Sequence, residues 1–105
     1  MAWIYLIAAG LCEVGWPLGL KLAQTTSYRF SSISLSVISM TVSGILLYMA
    51  QKHIPLSLAY AVWTGIGAAG TFMVGVYLFQ DNSSIYSWAG IILIISGIVL
   101  LKVSH

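Results

Sequence analysis

Four apolar runs leave this 105-residue chain little choice but to fold as a bundle of membrane-crossing helices. They lie at about residues 2–21, 32–50, 56–79 and 86–101. A helix needs ~20 mostly apolar residues to cross a bilayer core, and each run comes close to that length. The breaks between them, Leu22–Ser31, Gln51–Pro55 and Gln80–Ser84, hold polar and turn-forming residues. Charged residues make up 6% of the chain and hydrophobic ones 60%, whereas roughly a quarter of residues are charged in a soluble domain. Folded in water, the chain would have to expose large apolar patches. The expectation is an all-α membrane protein, one transmembrane domain over residues 1–105 with four helices. Nothing is left over for a soluble catalytic or nucleic-acid-binding domain, so an enzyme is not expected.

The first run does not read as a cleaved signal peptide, because it has no basic leading stretch and no clear small-residue cleavage site. Cys12, the single cysteine, has no internal disulfide partner and reads as a small packing hydrophobe.

Four crossings place both termini and the Lys52 loop on one side, and Lys21, Arg29 and Asp81 on the other. Lys52 and Lys102 therefore face Lys21 and Arg29, a tie. Orientation normally follows an excess of Lys and Arg toward the cytoplasm. With no excess, the same chain can insert both ways, unless an insertase or a partner fixes it.

Within the spans and away from their ends, Glu13 is the only formally charged residue. An intramembrane acid is costly and is a functional hypothesis by default. The alternative is a protonated carboxyl that simply bonds a neighbouring helix. No Lys or Arg inside the spans is placed to pair with it, so its compensating charge comes from outside, as a proton or a cationic ligand. Two copies of Glu13 brought together would titrate as a coupled pair.

Gly10 and Trp16 lie three residues either side of Glu13 and share its helical face. Gly15 and Gly19 point elsewhere and form a small-residue packing seam. Pro17 lacks the amide that would bond the Glu13 carbonyl, which predicts a kink at that level. In the second run Ser32, Ser36, Ser39 and Ser43 recur along one face. Their hydroxyls either orient the Glu13 carboxylate or permit close packing, and Ser43 is the candidate for the first role.

The third run reads "LAYAVWTGIGAAGTFMVG" (58–75) and carries a stripe through Tyr60, Trp63 or Thr64, Gly67, and then Gly70 or Thr71. These aromatics either mark a membrane interface or wall a cation site. "GIGAAG" fits G-x-G-x-x-G in letters alone; no strand precedes it, so a dinucleotide site is not expected. No phosphate-binding G-x-x-x-x-G-K-[ST] sequence occurs, and no metal or cofactor site is expected. The fourth run, "GIILIISGIV" (90–99), offers Gly90 and Gly97 as a helix-pairing seam.

Glu13, "AYAVWTGIGA" (59–68) and the Gly90…Gly97 pair together resemble the small multidrug resistance family over essentially the whole chain. "EVGWPLGLK" (13–21) looks like the guanidinium-exporting subtype, and Ser39, Met40 and Thr41 stand where exporters of polyaromatic cations carry an aromatic. The resemblance implies a proton-coupled antiporter in a bacterial inner membrane, working as an antiparallel, dual-topology homodimer. It implies that Glu13 binds protons and guanidinium-like substrate in turn, that Trp16, Tyr60 and Trp63 line the site, and that Ser43 bonds the carboxylate. It further implies a conformational bend at Gly65 and Gly67, dimer packing through Gly90 and Gly97, and no ATP. Pro17 and "FQD" (79–81) depart from the family pattern. The competing readings are an exporter of bulkier quaternary ammonium cations, a dual-topology ion channel, and a non-transporting helical subunit.

Overall fold

A computed structural model describes residues 2–104; the two terminal residues of the expected 1–105 domain lie outside it. Its elements are α1 (Ala2–Glu13), α2 (Gly15–Thr25), α3 (Arg29–Gln51), α4 (Leu56–Leu78) and α5 (Ile85–Ser104). α1 and α2 continue one another as a single 24-residue span, and α3, α4 and α5 have 23, 23 and 20 residues. At ~1.5 Å per residue each is about as long as a bilayer core is thick. All four are long and apolar enough to cross a membrane.

The join in the first span lies at Val14, three residues before Pro17. The Val14 amide reaches back only to Leu11 O, at 3.3 Å, and the Leu18 amide bonds Val14 O at 3.2 Å. Pro17 itself sits in the first turn of α2, where a missing amide is tolerated. The kink expected from Pro17 thus takes the form of an interrupted ladder at the level of Glu13.

The first connection is shorter than the expected break at Leu22–Ser31, spanning only residues 26–28. Hydroxyls explain the difference. Thr25 Oγ1 donates to Lys21 O at 3.0 Å and Thr26 Oγ1 to Leu22 O at 2.7 Å, so polar residues finish the helix instead of breaking it. Likewise the fourth helix runs on through Lys102 to Ser104 rather than ending near residue 101. In the second connection the His53 and Ile54 amides both return to Ala50 O at 3.1 Å, and Pro55 then opens α4. The third connection turns at Gln80, whose φ of 54° is left-handed, and brings the Asp81 amide back to Gly75 O at 2.9 Å.

The first span lies between α3 and α4, and α5 packs chiefly on α4, with Lys102 reaching over the Trp3 ring of α1 at 5.6 Å. The protomer is consequently a slab of 45 × 34 × 17 Å. Its tight core is at one end, where Leu6 of α1 meets Ala50 and Ile54 at the end of α3 and Ala59 and Val62 of α4. Further along, the serine face of α3 takes the glycines of α2. A Cβ on Gly19 would lie 2.6 Å from Ser32 O, and one on Gly15 would overlap the Ser39 side chain. Large apolar side chains cover the outside, Phe30, Tyr86 and Leu93 among them. Lipid suits that surface and water does not.

Candidate functional site

Glu13 ends α1, and the interrupted ladder beside it leaves its carboxylate leaning on α4. The Oε2 atom occupies the space that a Cβ on Gly67 would take. Only glycine permits this approach. Among the described residues no hydrogen bond reaches the carboxylate, and no buried side-chain polar atom lacks a partner. The Glu13 oxygens are therefore unpaired but not sealed.

One turn earlier along α1, the Ala9 carbonyl accepts a hydrogen bond from Ser43 Oγ at 2.6 Å. Ser43 Oγ in turn accepts from Trp63 Nε1 at 2.8 Å. Ser43 is fully buried, so this relay fixes the indole of α4 against α1 through a hydroxyl of α3. Tyr60, one turn away, holds its ring 5.5 Å from that of Trp63, tilted by 53°. Trp63 and Gly67 are four residues apart, as are Ala9 and Glu13. The aromatic pair accordingly lies about one turn from the carboxylate.

On the other side of Glu13 lies Trp16, with its ring partly exposed and its carbonyl accepting from Ser36 Oγ at 2.8 Å. Of the residues singled out in the sequence, Glu13 meets Gly67 and Ser43 meets Trp63, with Tyr60 beside Trp63, and the two contacts lie about one turn apart. Trp16 borders them through its place in the chain, three residues on from Glu13.

One expectation is corrected. Ser43 does not bond the Glu13 carboxylate; its single proton goes to Ala9 O, and its oxygen serves Trp63. A buried main-chain carbonyl with an indole donor nearby offers the hydroxyl a complete set of partners. Gly65 and Gly67 lie in an uninterrupted α4. A Cβ on Gly65 would stand 2.9 Å from Ile98 Cδ1, so this glycine lets α5 approach. At Gly90 and Gly97 a Cβ would meet nothing within 4 Å. Cys12 is free and half-buried.

Two residues escaped the sequence reading as parts of the site. The carbonyl of Ala9 carries no sequence signal. Ser36 was visible in the serine face but not as the support of Trp16. Two clefts among the described residues, one between α2 and α4 and one between α1, α4 and α5, are lined by none of Glu13, Trp16, Ser43, Tyr60 and Trp63. The carboxylate and its aromatics instead form an open face. Among the described residues no group of three His, Cys, Asp or Glu comes together.

The profile of the family described as Small Multidrug Resistance protein matches residues 1–94. A guanidinium exporter of Yersinia pseudotuberculosis serotype I is 43% identical over 104 residues, covering 99% of both chains. One from Escherichia coli K12 is 44% identical, over 99% of this chain and 98% of its own. One from Proteus vulgaris is 39% identical, over 99% of each.

Proposed function

The chain belongs to the small multidrug resistance family, a multi-pass membrane transporter rather than an enzyme, and on that premise we propose that it exports guanidinium and small guanidinyl cations in exchange for protons. Glu13 is the group for which the two compete. The observation that carries this reading is the Glu13 carboxylate seated on Gly67, with no hydrogen bond or cation beside it among the described residues. A guanidinium ion presents a planar fork of N–H donors that a carboxylate accepts bidentately. Its weakly hydrated faces stack on aromatic rings, and Trp16, Tyr60 and Trp63 are the rings at hand. The names of the relatives support the same substrate.

Binding of the cation requires the ionised carboxylate, and binding of a proton abolishes it. One group thus enforces exchange, and inward protons drive the cation out. The open face around Glu13 supports a site completed by a second copy, and the balanced Lys and Arg content supports copies inserted in opposite orientations in the inner membrane. Two carboxylates facing one monocation then leave room for two protons per cycle. The bare Gly90 and Gly97 positions of α5 support that helix as the dimer seam, and Gly65 and Gly67 are where α4 bends as the site changes sides.

The test uses purified protein in liposomes, with a guanidinium gradient imposed and internal pH recorded. Guanidinium efflux accompanied by proton influx is expected, and Glu13→Gln loses both. Guanidinium movement without opposing protons would point to a channel instead. A preference for tetraalkylammonium over guanidinium would overturn the substrate assignment.

A further inference from the structure

About one turn beyond the contact of Glu13 with Gly67, α2 and α4 flank a cleft of about 250 Å³. Val14, Pro17, Leu18 and Lys21 form one wall, with the spacing of a single helical face. Thr71, Val74 and Gly75 form the other, and Phe79 and Asp81 close the end. Both helices run toward the same side of the membrane, so the cleft has a direction. At its foot are Val14 and Thr71; at its mouth, where the spans end, are Lys21 and Asp81. From Val14 to Lys21 is ~10 Å along the helix.

The acid at the mouth is built in. The left-handed turn at Gln80 sends the chain back on α4, the Asp81 amide bonds Gly75 O at 2.9 Å, and the Asp81 carboxylate packs against the bare Cα of Gly75. A side chain at position 75 would stand 2.5 Å from Asp81 Oδ2. Asp81 is the second of only two acids in the chain, and the proposed transport cycle does not use it. The cleft thus offers one anion and one cation at its mouth, above a mostly apolar floor.

We propose that this cleft binds the headgroup of a phosphatidylethanolamine lipid, its ammonium on Asp81, its phosphate on Lys21 and its glycerol end over Leu18 and Val74. A zwitterion matches both charges, and the apolar foot continues into hydrocarbon where the acyl chains belong. A primary ammonium donates hydrogen bonds to the Asp81 carboxylate. The trimethylammonium of phosphatidylcholine donates none, and phosphatidylglycerol carries no cation. The inference stands apart from the transport reading.

Full-length protein is equilibrated in detergent with equal amounts of the three lipids, and retained lipid is read by native mass spectrometry. Phosphatidylethanolamine is expected to be held over the other two by roughly threefold or more, the worth of one charge-assisted hydrogen bond at a partly exposed site. Asp81→Asn removes that preference, and Lys21→Gln lowers retention of all three. Circular dichroism of each variant shows the helices intact, so misfolding is not mistaken for loss of the site. Equal retention of the three lipids, or a preference that survives both substitutions, overturns the proposal. So does a change in monomer–dimer ratio without a change in lipid, which would make the cleft a contact between copies. Loss of guanidinium binding in Asp81→Asn with lipid retention unaltered would make it a cation subsite, and overturns it equally.

Discussion

Glu13 and Gly67 share one volume: the carboxylate of the first lies where the second has no side chain. Gly67→Ala therefore pushes the acid off α4. Guanidinium affinity is expected to fall about tenfold or more, since hydrogen bonds to a charged group contribute about 1.5–3 kcal/mol. Gly44→Ala is the control within the protomer, because a Cβ there meets nothing within 4 Å. Titration of guanidinium against both variants by calorimetry checks the contrast. Equal loss in the two, or none in Gly67→Ala, removes Gly67 as the seat of the carboxylate.

The proposed competition of proton and cation for Glu13 carries a pH dependence. Protonation removes the charge that holds the cation, so apparent guanidinium affinity weakens as pH falls through the titration range of Glu13. The slope reaches about tenfold per pH unit for each proton displaced. Above that range the affinity levels off, because no proton remains to be displaced. Binding measured across pH by intrinsic tryptophan fluorescence should show both regimes. A flat profile would mean that proton and cation bind at separate places.

Much of this was legible in the chain, and the gaps have physical causes. Four apolar runs are a strong signal because hydrocarbon forces the backbone into helices. Glu13 stood out for the same reason: charge is rare where it is costly. The ends of the helices were harder to read, since Thr25 and Thr26 look like breakers but cap the carbonyls of their own helix. The partner of Ser43 was also misread. Residue spacing shows that a hydroxyl faces a neighbouring helix, but not whether it meets a side chain or the main-chain oxygen of Ala9. Gly67 was placed on the right stripe for a different purpose, because close approach of a carboxylate leaves no trace in sequence beyond a missing side chain.

The Ser43 relay gives a prediction that separates the two readings of that residue. Ser43→Ala leaves the Trp63 indole N–H and the Ala9 carbonyl without their shared hydroxyl. A buried polar group left unpaired costs about 1–3 kcal/mol, so the thermal midpoint in detergent falls and Trp63 emission shifts. Guanidinium binds more weakly as the ring loosens. The midpoint of the pH profile, however, stays where it is in the unmodified protein. Were Ser43 bonded to the carboxylate, that midpoint would move with the substitution.

Packing of the first span on α3 makes a graded prediction. A methyl at Gly19 would meet the Ser32 carbonyl at 2.6 Å and the Ser36 amide at 2.8 Å, both main-chain atoms that cannot rotate away. At Gly15 it meets only the Ser39 side chain, which can. Gly19→Ala is thus expected to destabilise by about 1–3 kcal/mol, as overpacked interiors do, and Gly15→Ala by less. Denaturation in mixed micelles, followed by circular dichroism, ranks the two. The reverse order would mean that the two helices meet along a different line.

The face of α5 bears on assembly. Gly90 and Gly97 lie seven residues apart, two turns along one side of the helix, and their missing side chains relieve no contact inside the protomer. Small residues in membrane helices let a second backbone come close, and the candidate site is open on a protomer only 17 Å thick. A leucine at either position fits the isolated protomer without strain, so Gly90→Leu and Gly97→Leu should leave helix content unchanged. Against a second copy the same side chain holds the helices apart. The dimer fraction measured by light scattering in detergent should then fall, and guanidinium transport should fall with it, because each site lacks its other half. A double variant that stays dimeric and active would place the seam elsewhere on the slab. One that stays dimeric but stops transporting would show that α5 acts in the conformational change rather than in assembly.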